Sequence, residues 1–275
     1  MEARTEKLKI DLLNWYKKNK RAFSWRKTTD PWQILLIETL SQQTQLERAN
    51  EYFDKFLIQF PSPKSMANSS LKIILKMWSG LGYNNRAKRL YEASKIIEKK
   101  GFDQIYPNFE VLPGVGPYTK SALLSFAYGE KVLAIDTNIE RIIQRYIGLN
   151  DTKDFFIENS EYFLHNVESR DINQAFMDFG SSVCKGSNPM CDMCPIEKDC
   201  SKYFSNNKST KEKFIGSNRE VRGKIIKLLI REGHVNNQKL FEEIDEDSEK
   251  VHKALEGLKK DKLIKFKKNN IIEIT

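Results

Sequence analysis

The sequence predicts a mainly α-helical protein with a small winged-helix-like module at its C-terminal end. Three observations predict it. Over the first two hundred residues, apolar side chains recur at helical spacing with almost no strand-like alternation. A polar stretch at 205–217, rich in Asn, Ser and Lys, then reads as a linker. Beyond it come three helical stretches and two short strand-like runs.

In chain order, the helical pattern covers residues 8–16, 34–46, 71–78, 87–97, 121–127, 139–146 and 173–183. Asp30-Pro31 reads as a helix start, because Asp caps free amides and Pro fits the first helical position. Gly80 and Gly82 interrupt one helix pair, and Gly114 and Gly116 another. In the tail, helices are expected at 219–232, 237–244 and 248–260. Strands are expected at 263–266 and 271–274, turning at Lys267-Lys268-Asn269-Asn270. There is no internal repeat.

The chain has 275 residues, 40% of them hydrophobic, enough for a sizeable core. No apolar run approaches the ~18 residues that span a bilayer, and Met1-Glu2-Ala3-Arg4 is too polar to open a secretory signal. The expectation is a soluble, cytoplasmic protein with no membrane partner. A net charge of +9 suits a polyanionic partner, since Lys and Arg gain by displacing counterions from phosphates. The same Lys, Ile and Asn richness is also what an AT-rich genome produces, so charge alone decides nothing.

All four cysteines fall within 17 residues, as Cys184-x6-Cys191-x2-Cys194-x5-Cys200. A disulfide scaffold would spread its cysteines along a small secreted chain. Four thiolates on one short loop instead suit a tetrahedral zinc or a [4Fe–4S] cube. Only the middle pair is a zinc-type knuckle, which tilts the spacing towards the cube and leaves zinc open.

Three further segments carry two readings each. Leu112-Pro113-Gly114-Val115-Gly116-Pro117-Tyr118-Thr119 is either an ordinary inter-helix turn or a hairpin whose amides grip a phosphate at a helix N-terminus. Asp136, after apolar residues and before a helix, is an N-cap or a working carboxylate. Glu38, among apolar neighbours, faces solvent on an amphipathic helix or sits in a dry pocket, its pKa raised so that it can donate a proton.

Together these segments resemble the endonuclease III/MutY family of helix-hairpin-helix DNA glycosylases, from about residue 8 to 203. The carrying residues are the Leu-Pro-Gly-Val-Gly hairpin, Asn173-Gln174-Ala175-Phe176-Met177-Asp178-Phe179-Gly180 followed by the cysteine spacing, and Ile135-Asp136-Thr137-Asn138-Ile139-Glu140-Arg141. The resemblance implies a two-lobed helix-hairpin-helix glycosylase fold with a [4Fe–4S] loop. One lobe would combine 1–29 with 136–204, the other would be 30–135, and 205–217 would link them to the winged-helix-like 218–275. It also implies that Cys184, Cys191, Cys194 and Cys200 hold the cluster, that Lys185 is the basic residue of its loop nearest DNA, and that Gly114, Val115 and Gly116 grip phosphate. A monovalent cation on the hairpin carbonyls is compatible with it and not required.

Glu38-Thr39-Leu40-Ser41-Gln42-Gln43-Thr44-Gln45 is similar to the adenine-glycosylase stretch of that family, with Ser41 as a modest departure. In those relatives the Glu protonates the departing adenine, a poor leaving group unless protonated. The Asp, here Asp136, steadies the positive charge that builds on the deoxyribose. The resemblance places Gln42 and Gln43 where relatives probe the duplex, and Arg26 and Asp178 near the extruded base. Trp78-Ser79-Gly80-Leu81-Gly82-Tyr83-Asn84-Asn85-Arg86-Ala87 would supply Tyr83, Asn84 and Arg86 to DNA, with Asn84 standing where a stacking Tyr is usual.

Bifunctional relatives carry a lysine nucleophile where this chain has Tyr118. Lys120 lies about 200° further round the helix and cannot substitute. The expectation is therefore a monomeric, monofunctional base-excision enzyme of the prokaryotic nucleoid, acting on double-stranded DNA with a mismatched or damaged base, and removing adenine opposite G or 8-oxoguanine. Thymine or uracil opposite G is the alternative, because Tyr at 118 also occurs in such relatives. A non-catalytic iron–sulfur DNA-binding regulator is the third reading. The tail is too short for the Nudix-like domain that reads 8-oxoguanine in bacterial MutY enzymes, which leaves that preference open.

Overall fold

A computed structural model describes residues 1–204 and 214–275; most of the expected linker, 205–213, lies outside the described residues. Among the described residues the order is α1 (Glu2–Asn19), α2 (Pro31–Ser41), α3 (Leu46–Gln59), α4 (Pro63–Ala67), α5 (Leu71–Trp78), α6 (Asn85–Lys100), α7 (Phe102–Ile105), α8 (Pro117–Tyr128), α9 (Thr137–Ile143), α10 (Lys153–Leu164), α11 (Ser169–Ser182), α12 (Asn218–Glu232), β1 (His234–Asn236), α13 (Asn237–Glu243), α14 (Ser248–Lys260), β2 (Ile264–Phe266) and β3 (Ile271–Ile274). The mainly helical expectation holds. Contacts group the described residues into two compact units, 1–35 with 107–110 and 115–204, and 36–106 with 111–114 and 214–275.

In the first unit, α11 packs against α1, α8, α9 and α10. Its apolar stripe, Ile172, Phe176 and Phe179, closes a core with Leu8, Leu12, Ile139, Tyr146 and Phe163. Phe163 and Phe176 meet edge to face at 5.3 Å, a favoured aromatic geometry. The expected Asp30 cap is present, with the Trp32 amide donating to its carboxylate at 2.8 Å. The helix expected across 139–146 is α9 followed by a π turn at Gln144–Gly148.

In the second unit, α6 packs on α4 and α5, and α12 packs on both α5 and α14. The tail forms the expected three helices and hairpin, plus a strand, β1, hidden by its brevity in the sequence. The sheet order is β1-β3-β2, antiparallel throughout. Asn269 and Asn270 turn the hairpin with φ of 60° and 55°, a conformation Asn tolerates better than most residues.

One helix expectation is corrected. The pattern over 34–46 predicts unbroken helix, whereas α2 stops at Ser41 and α3 starts at Leu46. Between them Gln43 takes a left-handed backbone, φ 55°. The cause is tertiary: the Arg86 guanidinium binds the carbonyls of Thr39 and Leu40 at 3.1 and 3.2 Å, together with that of Gln42, and these no longer serve a continuing helix.

Candidate active site and cluster loop

Asp136 caps α9. One carboxylate oxygen accepts from the Asn138 and Ile139 amides at 2.9 and 2.8 Å, and the other accepts from the Asn138 side-chain amide at 2.6 Å. The cap reading is therefore real, and it fixes the carboxylate rigidly. Asn173 fixes the chain just before it. Its side chain accepts from the Ala134 amide at 2.8 Å and donates to the Val132 carbonyl at 2.9 Å.

A hydrogen-bonded chain continues from Asp136 to the cysteine loop. Arg141 donates to the Asn138 side-chain oxygen at 2.7 Å, to the Gly180 carbonyl at 2.8 Å and to the Cys184 carbonyl at 2.9 Å. Burial lowers the Arg141 pKa, and the neighbouring Cys184 works in the opposite direction. Gly180 is required here because a Cβ would stand 2.6 Å from the Asn138 Cβ. Asn138, Arg141 and Asn173 were not singled out from sequence; they lie inside the motifs, and only the hydrogen bonds reveal their work.

Cys184, Cys191, Cys194 and Cys200 line one cavity with Ile142, Val183 and Ile196. Burial pushes the Cys194 thiol up to about 11 and raises that of Cys200. Such thiols become thiolates only beside compensating positive charge, which a bound metal centre supplies. Arg145 donates to the Cys184 sulfur at 3.4 Å and to the Lys185 carbonyl at 2.6 Å. Four sulfurs around one apolar cavity, with a guanidinium on one of them, fit an iron–sulfur donor set. Among the described residues, no three His, Cys, Asp or Glu side chains gather around a single-ion site. Lys185 stands half-buried at the loop's edge.

Arg26 and Asp178 are brought together. The Arg26 fork grips both Asp178 oxygens at 2.6 Å, and Arg21 adds a third donor at 2.7 Å. Asp178 is 1% exposed at its side chain, so this is a buried charge pair. Phe23 and Trp25 stack beside it at 5.5 Å, with the Arg26 guanidinium 5.4 Å from Trp25. The Trp25 Nε1 and Arg26 Nε donors are buried without a partner. Arg21, Phe23 and Trp25 were missed in the sequence, where only Arg26 carried the resemblance.

In the second unit, Glu38 is 6% exposed among Ile34, Leu35 and Ile37 on α2, so the solvent-facing reading is set aside. Arg86, expected at the DNA surface, is buried, and burial pushes its pKa down to about 10, still cationic at neutral pH. Besides the carbonyls of Thr39, Leu40 and Gln42 it binds those of Leu81 and Gly82 at 3.2 Å, and it lies 5.0 Å from the Trp78 ring. It thus holds two turns at once. One presents Gln42 and exposed Gln43; the other presents Tyr83 and Asn84. Gln43 and Tyr83 both have left-handed backbones, φ 55° and 47°, uncommon for such residues and typical of sites that aim a side chain.

At the hairpin, Gly114 has φ 86°, and a Cβ there would meet Arg89 at 3.1 Å. Val115 is buried, Gly116 caps α8, and Pro117 is its first residue. The first amides of α8 have no partner within the helix, the arrangement that attracts phosphate. Tyr118 is half-buried, while Lys120 is tied to Glu110 at 2.9 Å, consistent with their different helix faces.

Comparison with known proteins decides the family. Residues 37–161 match the profile of the HhH-GPD superfamily base excision DNA repair proteins. An adenine DNA glycosylase of Mycobacterium tuberculosis is 30% identical over 270 residues, covering 92% of this chain and 89% of that one. The chain belongs to the HhH-GPD superfamily. An adenine DNA glycosylase of Buchnera aphidicola from Baizongia pistaciae is 34% identical over 207 residues, 71% of this chain. That match spans only 58% of the Buchnera protein. Among solved structures, a thermostable thymine-DNA glycosylase superposes with a TM-score of 0.66 at 29% identity, covering 73% of this chain and 97% of that one. This HhH-GPD chain has no helix, among the described residues, long and apolar enough to cross a membrane.

Proposed function

We propose that the protein is a monofunctional DNA glycosylase that removes mispaired adenine from double-stranded DNA. The observation that carries the adenine reading is Glu38, a carboxyl on α2 that is only 6% exposed. Adenine is a poor leaving group unless protonated, and a buried carboxyl is the kind of group that can act as the general acid.

The target nucleotide leaves the stack, because its glycosidic bond is out of reach inside the duplex. Glu38 gives its proton to a ring nitrogen of adenine. The C1′–N9 bond breaks, its electron pair leaves with the base, and positive charge develops on the sugar. The fixed carboxylate of Asp136 stabilises that charge and orients a water, whose oxygen bonds C1′ as its proton is released. Arg26, Asp178 and the unspent Trp25 donor offer a polar edge to the extruded base. Phosphate affinity comes from the α8 amides and Lys185, and Gln42, Gln43, Tyr83 and Asn84 probe the duplex. The four cysteines would hold a [4Fe–4S] cluster that shapes the loop between Cys184 and Cys200; when bound, it supplies structure and charge rather than bond-breaking.

The test is a panel of duplexes with A:8-oxoguanine, A:G, T:G and U:G, heated in alkali to reveal abasic sites. Cleavage of the adenine strands, lost in Asp136→Asn and Glu38→Gln, is the expected result. Cleavage confined to T:G and U:G would transfer the assignment to the thymine/uracil reading, which the thymine-DNA glycosylase likeness favours. No cleavage of any duplex would favour a regulator. Purified protein should contain iron and inorganic sulfide in equal amounts; zinc without sulfide would overturn the cluster.

A further inference from the structure

The C-terminal module reaches the duplex-probing turn within its own compact unit. Its first helix, α12, packs on α5, the helix that runs into the turn carrying Tyr83. Ser217 caps α12 by accepting from the Glu220 amide, which fixes where the helix begins. Arg219 therefore projects from a defined first turn.

The Arg219 guanidinium lies 4.8 Å from the centre of the Tyr83 ring and donates from Nη1 to the Tyr83 hydroxyl. It also lies 5.1 Å from the Phe214 ring. Arg86, from within the lobe, is 5.8 Å from the same tyrosine ring. Tyr83 is thus held by two guanidiniums, one from the helical lobe and one from the tail, while 39% of it stays exposed. An exposed tyrosine on a left-handed residue would otherwise sample several rotamers.

We propose that Arg219 is a positioning residue for Tyr83, so that the C-terminal module sets the pose of the aromatic side chain with which the probe turn meets a duplex and thereby sharpens mismatch discrimination. The inference rests on the proposed action on DNA. It gives the C-terminal module a defined task.

The test measures dissociation constants of the 275-residue protein, all in the Asp136→Asn background, for A:G and A:T duplexes that differ at one position. Arg219→Ala is expected to weaken A:G binding roughly tenfold, the size of one hydrogen bond plus one cation–π contact, and A:T binding far less. Arg219→Lys should restore only part of the preference, because an ammonium lacks the planar fork. Tyr83→Phe should reproduce much of the loss, and adding Arg219→Ala to it should cost little more. Equal weakening on both duplexes, fully rescued by Lys, would make Arg219 an ordinary phosphate contact and overturn the inference. An unchanged A:G preference in Arg219→Ala would overturn it alone. Absence of any preference in the parent protein would overturn it together with the proposed function.

Discussion

At the scale of single residues, the sharpest dependence lies at Asp178. Burial works to raise its carboxyl, but the hydrogen bonds and charges of Arg26 and Arg21 outweigh that and hold it below the ordinary range. A carboxylate with a depressed folded pKa contributes stability that is complete above its unfolded value, about 3.9. That contribution is lost as pH falls through the lower folded value. Urea midpoints followed downward from pH 6 should therefore drop on the acid side, and the drop should be shallower in Asp178→Asn. The variant should also be less stable at neutral pH by about 3–5 kcal/mol, because Arg26 is left buried without its counter-charge. Identical acid slopes in the two proteins would refute the account. Gly180 gives a second residue-scale expectation. Gly180→Ala must push Asn138 off its contact with Asp136, so the single-turnover rate should fall more than about tenfold, the scale on which a misplaced reacting group loses rate, while iron content stays unchanged. An Ala variant of full activity would show that Asn138 does not hold the carboxylate for catalysis.

At the scale of elements, Arg86 ties the end of α2 to the turn before α6. Its removal frees carbonyls in both segments at once, so the two turns should open as one cooperative piece. Amide hydrogen exchange in Arg86→Ala should accelerate together at 41–45 and 80–84 and stay slow in α5; acceleration in one turn alone would sink the shared-clamp reading. This clamp also shows what the sequence leaves hidden. Periodicity found α5, α12 and α14 because each buries a stripe that repeats along one helix. The Asp30 and Asp136 caps were legible because capping is local. The break after Ser41 was not, since the side chain that causes it lies 45 residues away. The Arg26–Asp178 pair was hidden for the same reason: each residue carried a resemblance to a base contact, and neither revealed that the other neutralises it. β1 is three residues long, too short for alternation to register. Glu38 stood between two readings until burial, a tertiary property, separated them.

At the scale of the whole molecule, the net charge of +9 and the proposed action on DNA together predict a strong response of binding to salt. Each phosphate neutralised releases counterions and adds about 0.9 to the magnitude of the slope of log K against log salt. The α8 amides are neutral and release few ions, so the slope should report the lysines and arginines on the bound face. On the proposed function, base identity is read by buried hydrogen bonds near Arg26 and Asp178, which salt screens little. Affinity for matched and mismatched duplexes should therefore fall in parallel as salt rises from 50 to 200 mM, a window over which six to ten phosphate contacts would cost about 10³–10⁵ in affinity. Their ratio should stay nearly constant. Lys185→Ala should lower the slope by about one for both duplexes without altering that ratio. If the ratio itself collapsed with salt, discrimination would have to rest on exposed charge, and the buried Arg26–Asp178–Trp25 edge would lose its claim to read the base.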